Sequence, residues 1–546
     1  CPFSLKPLQH KYTRSAPPDQ YFAASNNNMF IKNFFFILNF RCFCNKDFVY
    51  LVIMKKTICL LIIILIFSFF GMFSKLEIAE LQPLGSAAHA AISREILRTG
   101  DWLTLHWPHC EEFKDFYQFP PLFFWLQAIT YKIFGISDAT SKYVSSFFGV
   151  LVILLTFFLA KIISDDDYIS FLSSLTLILH PYFFKHARKC ELETGLIFFI
   201  TLAILFFILS EKKQKPYLLI FSGISSGLGF LYKGPPAYCI LAIVPIYYLL
   251  TKQHKKIFNP YFFLFILIAL CVPLVWIIPQ LIYKGNAVIE KFFINQILWS
   301  IQGRSAKYVS IIERIKNYLF FFPAFFSYYL PWSITGIFGI RKIIKEEKTN
   351  TLWHVLLIWI IVVWLGFTIA GYKDDYYLLA FWPGWCVING YIFSIWTKRI
   401  EDSIIKTFAV LSIVFALVTI FTPIKFDKIR NPEFRTMAEF VKNTVPQDKK
   451  ILPYNLFYYD MVALIPWYWD RGIIKSSLPN PNVSSDVKAW KEHSVSTEVE
   501  LKKLISKEKQ FILIKKSDFE KLSFAIKEKL KIIHEEGRFY FCTSEP

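Results

Sequence analysis

Apolar runs of roughly twenty residues recur along the chain, and no other feature restricts its fold as strongly. A run of that length crosses the hydrocarbon core of a bilayer as a helix. Eleven of them fall at about 57–73, 141–163, 168–186, 194–210, 216–232, 236–251, 261–283, 317–341, 352–371, 376–396 and 404–423. They lift the hydrophobic share of the 546 residues to 55%, above the roughly 45–50% of soluble domains. The fold class that follows is an α-helical polytopic membrane protein.

Charge placement then orients the helices. A net charge of +20 in a soluble protein would suggest nucleic acid. Here much of the excess sits in short loops: Lys212-Lys213-Gln214-Lys215, Lys252 with Lys255-Lys256, Arg341-Lys342 with Lys345, and Lys398-Arg399. These are every second loop, so the positive-inside rule makes them cytoplasmic and their excess meets membrane lipid rather than nucleic acid. Lys55-Lys56 places the N-terminal end of the first span inside as well. Eleven spans then leave the C-terminus outside. Residues 120–135 are also apolar, but sixteen residues rise only about 24 Å, short of the roughly 30 Å core. They are expected as a short juxtamembrane or re-entrant helix, or as half of a pair of spans, which brackets the total at about 11–13.

Three regions follow. Residues 1–53 precede Met54-Lys55-Lys56, which looks like a natural start, and are expected to be upstream sequence or a poorly ordered extension. Residues 54–423 form the transmembrane domain with a large first outer loop, 74–140. In that loop Ser86 to Arg98 reads as a helix lying along the membrane interface, ended by Gly100-Asp101. Residues 424–546 read as a small α/β domain outside the membrane. Its expected strands are Ile451–Tyr454, Phe511–Ile514 and one near Phe539–Cys542, and its expected helices Phe434–Val445 and Asp518–Leu530. The ten cysteines contain no C-x-x-C pair, so neither a zinc site nor a disulfide framework can be read from them.

Several charged groups stand at outward span ends. Lys233 lies in Tyr232-Lys233-Gly234-Pro235, where Gly234 allows close backbone approach. Lys373 and Tyr376 lie in Lys373-Asp374-Asp375-Tyr376-Tyr377. Arg188 and Glu193 lie in His186-Ala187-Arg188-Lys189-Cys190-Glu191-Leu192-Glu193, and Arg304 in the 284–316 loop. Cations there suit a phosphate held at the membrane surface, and a carboxylate suits an acceptor's proton. The competing reading is an interfacial belt of snorkelling lysines and aromatic rings.

The order of these motifs carries a resemblance. Ile92-Ser93-Arg94-Glu95-Ile96-Leu97-Arg98-Thr99-Gly100-Asp101-Trp102-Leu103, followed by Pro120-Pro121-Leu122-Phe123-Phe124-Trp125-Leu126, resembles the first outer loop of the dolichyl-phosphate-mannose protein mannosyltransferases and the bacterial aminoarabinose lipid A transferases. Ala187-Arg188 with Glu193, Gly227-Leu228-Gly229 with Lys233-Gly234-Pro235, Pro331-Trp332, and Lys373 with Tyr376-Tyr377 and Pro383 continue in the order of that family. The similarity covers about 54–400. It implies a GT-C fold, a lipid-phosphate sugar donor and inverting transfer to an acceptor hydroxyl. Arg94, Arg188, Lys233, Arg304, Lys373 and Tyr376 are then the candidates to bind substrate.

The chain departs from the family at its expected base. An Asp-Glu pair belongs shortly before the interfacial helix, at about Gly85-Ser86, and neither residue carries a carboxylate. Glu80, His89 and Glu193 are the alternatives, and Glu193 stands where the family has Asp. Phe119 replaces a lysine before Pro120-Pro121. The expected enzyme moves a sugar from a polyprenyl-phosphate carrier to a hydroxyl of a glycolipid such as lipid A, a glycan or a protein, on the outer face of the inner membrane. High Lys, Ile and Phe hint at an AT-rich bacterial genome, for which the carrier is undecaprenyl phosphate. No obligatory metal is expected. A transporter or flippase of lipid-linked sugars, or a catalytically altered family member, is the alternative. A transporter would be expected to place charges or broken helices at the membrane midplane, often in repeated halves.

Overall fold

A computed structural model of the chain describes residues 46–82, 85–109, 114–298, 301, 316–347, 349–370, 373–422, 426–427, 429, 431–456, 458–474 and 495–544. Arg304 and most of the 1–53 segment lie outside the described residues. The chain is a polytopic helical protein with a small sheet near its C-terminus. The helices are α1 Lys46–Phe73, α2 Ser86–Thr99, α3 Leu122–Phe134, α4 Asp138–Ser164, α5 Asp167–Ile178, α6 Pro181–Ala187, α7 Glu193–Lys213, α8 Leu218–Lys233, α9 Cys239–Leu250, α10 Pro260–Cys271, α11 Leu274–Lys284, α12 Phe321–Tyr328, α13 Trp332–Glu346, α14 Leu352–Ile369, α15 Trp382–Thr397 and α16 Glu401–Phe421. Among the described residues, six helical stretches are long and apolar enough to cross a membrane, and four shorter apolar helices accompany them.

The outer surfaces of these helices are apolar. Ile58, Ile62, Leu65 and Phe69 on α1, and Val410, Ile413, Val414 and Leu417 on α16, are all exposed. Water would not tolerate such contiguous faces, whereas lipid does. Inside the bundle, backbones approach closely where side chains are small. A Cβ on Gly390 of α15 would come within 2.7 Å of the Ile169 carbonyl of α5. One on Gly223 of α8 would come within 2.5 Å of the Phe265 carbonyl of α10.

Helix ends follow local chemistry. Ser137 and Thr140 form a reciprocal capping box at the start of α4. Asp166 accepts the backbone N–H groups of Tyr168 and Ile169 at the start of α5. Several of the long apolar runs are broken at prolines. The run 168–186 divides into α5 and α6, with Pro181 opening the second helix. The run 261–283 divides at Val272-Pro273, and 317–341 at Tyr329–Pro331. Proline lacks the N–H that would continue the ladder, so it begins a new helix instead.

The helix expected along the interface is present as α2, but it is packed within protein. Ten of its fourteen residues, from Ser86 to Ile96, are buried. It lies against α3 and against the segment after Tyr458, and shares one hydrophobic core with Phe434, Met437, Trp467, Trp469 and Phe541. The C-terminal segment is therefore packed onto the 74–140 region. Asp138 accepts Trp467 Nε1–H at 2.9 Å and Tyr468 O–H at 3.0 Å, and the Tyr468 hydroxyl accepts the Leu81 N–H at 2.9 Å.

The C-terminal sheet has four strands in the order β3-β4-β6-β5, with β3 Ile451–Tyr454, β4 Phe511–Lys515, β5 Leu530–Glu536 and β6 Phe539–Ser544. A small hairpin in the 74–140 region, β1 Leu105–His106 and β2 Asp115–Phe116, precedes it in the chain. β3 runs parallel to β4, and β4, β6 and β5 are antiparallel neighbours. The expected helix 518–530 is instead two short helices, Lys516–Lys521 and Phe524–Lys527, and β5 begins at Leu530. Leu522-Ser523 is extended between them, so the apolar period does not continue as one helix.

Candidate active site

Four helix ends and one loop converge on a cluster of charges. Glu193 opens α7, and Lys233 closes α8 just before Gly234, whose φ of 107° turns the chain sharply. The positive φ is one that residues with a Cβ rarely adopt. Glu193 and Lys233 form an ion pair, with side chains 10% and 11% exposed. The Lys233 ammonium also sits 5.4 Å from the centre of the Tyr376 ring, a cation–π distance. Tyr376 comes from the 3-10 turn Asp375–Phe381, and its hydroxyl donates to Asp374 Oδ2 at 2.8 Å.

His186, at the end of α6, also packs against Tyr376, with ring centres 5.2 Å apart. Its Nδ1 lies 2.8 Å from Glu191 Oε2, and Lys189 Nζ donates to Glu191 Oε1 at 3.2 Å. Burial alone would raise the Glu191 carboxyl, but His186 and Lys189 outweigh it and hold the group well below the usual carboxylate range. Glu191 is therefore an anion at neutral pH. One ligand atom each from His186, Glu191 and Glu193 lie within 4.8 Å of one another, a spacing that could hold a metal ion.

His89 on α2 borders the same cluster, since Glu193, Glu191 and Lys233 all act on its charge. Its Nδ1 donates to the Cys190 carbonyl at 3.0 Å. Phe119, Phe123 and Phe124 surround the ring, and burial lowers its pKa. His89 is thus a neutral imidazole in an aromatic wall.

The remaining sequence candidates are engaged elsewhere. Arg188 is fully buried, and its guanidinium donates to Gly71 O at 2.6 Å, Ser74 O at 2.9 Å and Asp427 Oδ2 at 3.0 Å. Phe184 and Phe426 cover it at 5.3 and 5.0 Å. A phosphate could reach it only by displacing these partners, so Arg188 ties the end of α1 to the segment after α16. Arg94 donates to Pro466 O at 2.7 Å, Trp467 O at 3.1 Å and Asp470 at 3.1 Å, which docks the C-terminal segment on α2. Glu80 is 3% exposed and accepts the Asn431 N–H at 2.8 Å. Lys373 donates to the Ala370 carbonyl and lies 5.8 Å from the Tyr318 ring, and its pKa is lowered by burial.

Sequence reasoning passed over His186 and Glu191, although both stood in the motif that supplied Arg188 and Glu193. A signal was available at Gly85. A Cβ there would meet Glu191 Oε1 at 3.3 Å. The position at which the resemblance expects an acid is therefore adjacent to a carboxylate that arrives from another part of the chain.

Comparison with known proteins agrees with this architecture. Residues 118–280 match the family described as dolichyl-phosphate-mannose-protein mannosyltransferase. An uncharacterized protein of Aquifex aeolicus is 25% identical over 336 residues, 62% of this chain and 63% of that one. The undecaprenyl phosphate-alpha-4-amino-4-deoxy-L-arabinose arabinosyl transferase of Photorhabdus laumondii is 26% identical over 308 residues, 53% of this chain and 51% of that enzyme. The chain thus spans between half and two thirds of these two relatives. In fold it is similar to ArnT from Cupriavidus metallidurans, solved bound to undecaprenyl phosphate, with a TM-score of 0.65 at 13% identity over 92% of this chain and 100% of that one. The oligosaccharyltransferase of Archaeoglobus fulgidus follows at a TM-score of 0.51 and 13% identity, covering 76% of this chain and 62% of that one.

The likeness in fold is thus to a polytopic membrane protein over nearly the whole chain. In sequence, the chain resembles the dolichyl-phosphate-mannose protein mannosyltransferases and the bacterial aminoarabinose lipid A transferases, the GT-C resemblance drawn from its motifs.

Proposed function

We propose that this protein is a membrane glycosyltransferase that moves a sugar from a polyprenyl-phosphate carrier to an acceptor hydroxyl at the non-cytoplasmic surface. The observation that carries this reading is the Glu193–Lys233 pair against Tyr376, at the ends of three neighbouring elements. A nearly enclosed ammonium is a strong phosphate ligand because water screens it little. The carrier phosphate competes with Glu193 for Lys233 and takes the cation. The alternation of lysine-rich loops supports the outer face for these ends. The names of the matched arabinosyl transferases support undecaprenyl phosphate as the carrier. Lipid A, another glycan and a protein hydroxyl all suit an acceptor that approaches from outside.

The transfer is a direct displacement. The acceptor oxygen forms a bond to the anomeric carbon as the bond from that carbon to the phosphate oxygen breaks. The electron pair leaves with the phosphate, and the acceptor proton passes to a base in the cluster. Lys233 neutralises the charge that develops on the departing phosphate, a contribution present mainly in the transition state. Inversion at the anomeric carbon follows.

The test is transfer by the purified full chain from labelled undecaprenyl-phosphate sugars, 4-amino-4-deoxy-L-arabinose and hexoses, to lipid A and to a peptide bearing hydroxyls. Lys233→Ala is expected to lower turnover by about 10²–10³-fold, and Glu193→Gln by a similar factor. Turnover equal to wild type in both variants would overturn the assignment of the site. Wild type that transfers no sugar from any donor would overturn the function.

A further inference from the structure

We infer that His186, oriented by Glu191, takes the proton of the acceptor hydroxyl in the transfer proposed above. The inference rests on that reading of the site and names its base.

The two ring nitrogens of His186 have different surroundings. Nδ1 is 2.8 Å from a Glu191 carboxylate oxygen. Carboxylates held in the ionised state only accept, so Nδ1 carries the hydrogen and donates it. In the tautomer this contact selects, the ring's lone pair is on Nε2. That nitrogen is buried and has no hydrogen-bond partner among the described residues, in a side chain 5% exposed. Buried polar atoms are rarely left without a partner, and one in a charged cluster marks where a ligand's donor belongs. A hydroxyl is such a donor, and Nε2 is the atom able to accept its proton.

The carboxylate behind the ring completes the chemistry. An anionic partner on Nδ1 fixes the tautomer and orientation, and stabilises the imidazolium once the second nitrogen is protonated. Glu191 is suited to this role because Lys189 donates to the same carboxylate, which favours its ionised form whether or not the ring is charged. Its other oxygen is held by Lys189, so the carboxylate is fixed at both ends. Tyr182 and Tyr376 pack against the imidazole at 4.8 and 5.2 Å and limit its rotation.

The alternatives in the same cluster are less suited. His89 donates to a backbone carbonyl inside an aromatic wall, and among the described residues no carboxylate hydrogen-bonds it to support an imidazolium. Glu80 is bound to the Asn431 backbone. The vacant acid position at Gly85 is adjacent to Glu191, so the dyad occupies the region where a base from the outer loop would stand.

The experiment follows sugar transfer by the purified full chain with labelled undecaprenyl-phosphate 4-amino-4-deoxy-L-arabinose, or whichever donor from the panel above is active. Wild-type turnover on at least one donor establishes the underlying reading. His186→Ala is then expected to lower kcat by about 10²–10³-fold with donor KM within threefold. Imidazole added at tens of millimolar is expected to restore at least a tenfold gain to this variant and none to wild type. Glu191 is a positioning residue, so Glu191→Gln is expected to lower kcat by about 10–100-fold, with Glu191→Asp recovering part of the loss. Thermal melting of each variant identifies any that fail to fold, and His186→Gln provides a second side chain of similar polarity. A folded His186 variant turning over within threefold of wild type would overturn the inference, as would a loss confined to KM. Loss of wild-type turnover on chelation, restored by a divalent metal, would overturn it in favour of metal ligation by His186, Glu191 and Glu193.

Discussion

Arg188 is a candidate phosphate ligand whose guanidinium is already occupied by protein partners. Its position beside an outer span end suggested a phosphate ligand, yet every direction of its guanidinium meets a carbonyl, Asp427 or a phenylalanine ring. Breaking a buried ion pair from one side leaves the other charge uncompensated, at about 3–5 kcal/mol. Arg188→Met is therefore expected to lower the melting temperature markedly while donor KM in the surviving folded fraction stays near wild type. A large rise in donor KM with unchanged melting would contradict this. Asp470 makes a second residue-scale case. Its hydrogen bond to His109, with Arg94 nearby, holds its carboxyl at about 2. A depressed carboxyl stabilises the fold above its unfolded value of roughly 3.9 and loses that contribution as pH falls through the folded one. Asp470→Asn is expected to destabilise the docked C-terminal segment by about 1–2 kcal/mol at neutral pH. The gap from wild type should close between about pH 4 and about pH 2. A gap that persists unchanged to pH 2 would show that the charge is not its source. The candidate cluster itself was half legible. Lys233, Glu193 and Tyr376 stood out by their place at span ends, but their pairing across forty positions or more did not. His186 and Glu191 were in plain view, and one-dimensional spacing could not tell which side of the 188–192 turn faces the cluster.

At the scale of elements, apolar run length was enough to locate nearly every helix of the bundle, because a bilayer demands that length. Where the runs break was less legible. Proline marked the breaks at Pro181, Pro273 and Pro331, but Pro245 and Pro279 sit inside α9 and α11 without ending them. Proline is tolerated in membrane helices when neighbours satisfy the freed carbonyl, which a single run of sequence does not reveal. Close packing was equally hidden. Gly390 carries no signal in sequence, yet α5 passes so near that a side chain would enter its backbone. Gly390→Val is expected to cost at least about 1–3 kcal/mol through overpacking, while the same change at Gly366, where a Cβ would meet nothing within 4 Å, is expected to melt near wild type. Equal melting of the two variants would refute close packing at α5.

For the molecule as a whole, the 74–140 region, the C-terminal segment and the helix ends form one assembly. α2 lies between the bundle and the segment after Tyr458, and the cluster of His186, Glu191, Glu193 and Lys233 lies close by. Sequence composition separated 424–546 as a domain because the long apolar runs stop there, but composition does not record that Trp467, Trp469 and Phe541 share a core with α2 and α3. The central claim is that Lys233 receives the phosphate of a polyprenyl carrier. It is tested most directly by the affinity of the purified protein for undecaprenyl phosphate in wild type, Lys233→Met and Lys212→Met. Hydrogen bonds to charged groups contribute about 1.5–3 kcal/mol, so Lys233→Met is predicted to weaken binding by roughly 10–150-fold, and Lys212→Met to leave it unchanged. Binding that is the same in wild type and Lys233→Met would contradict the claim.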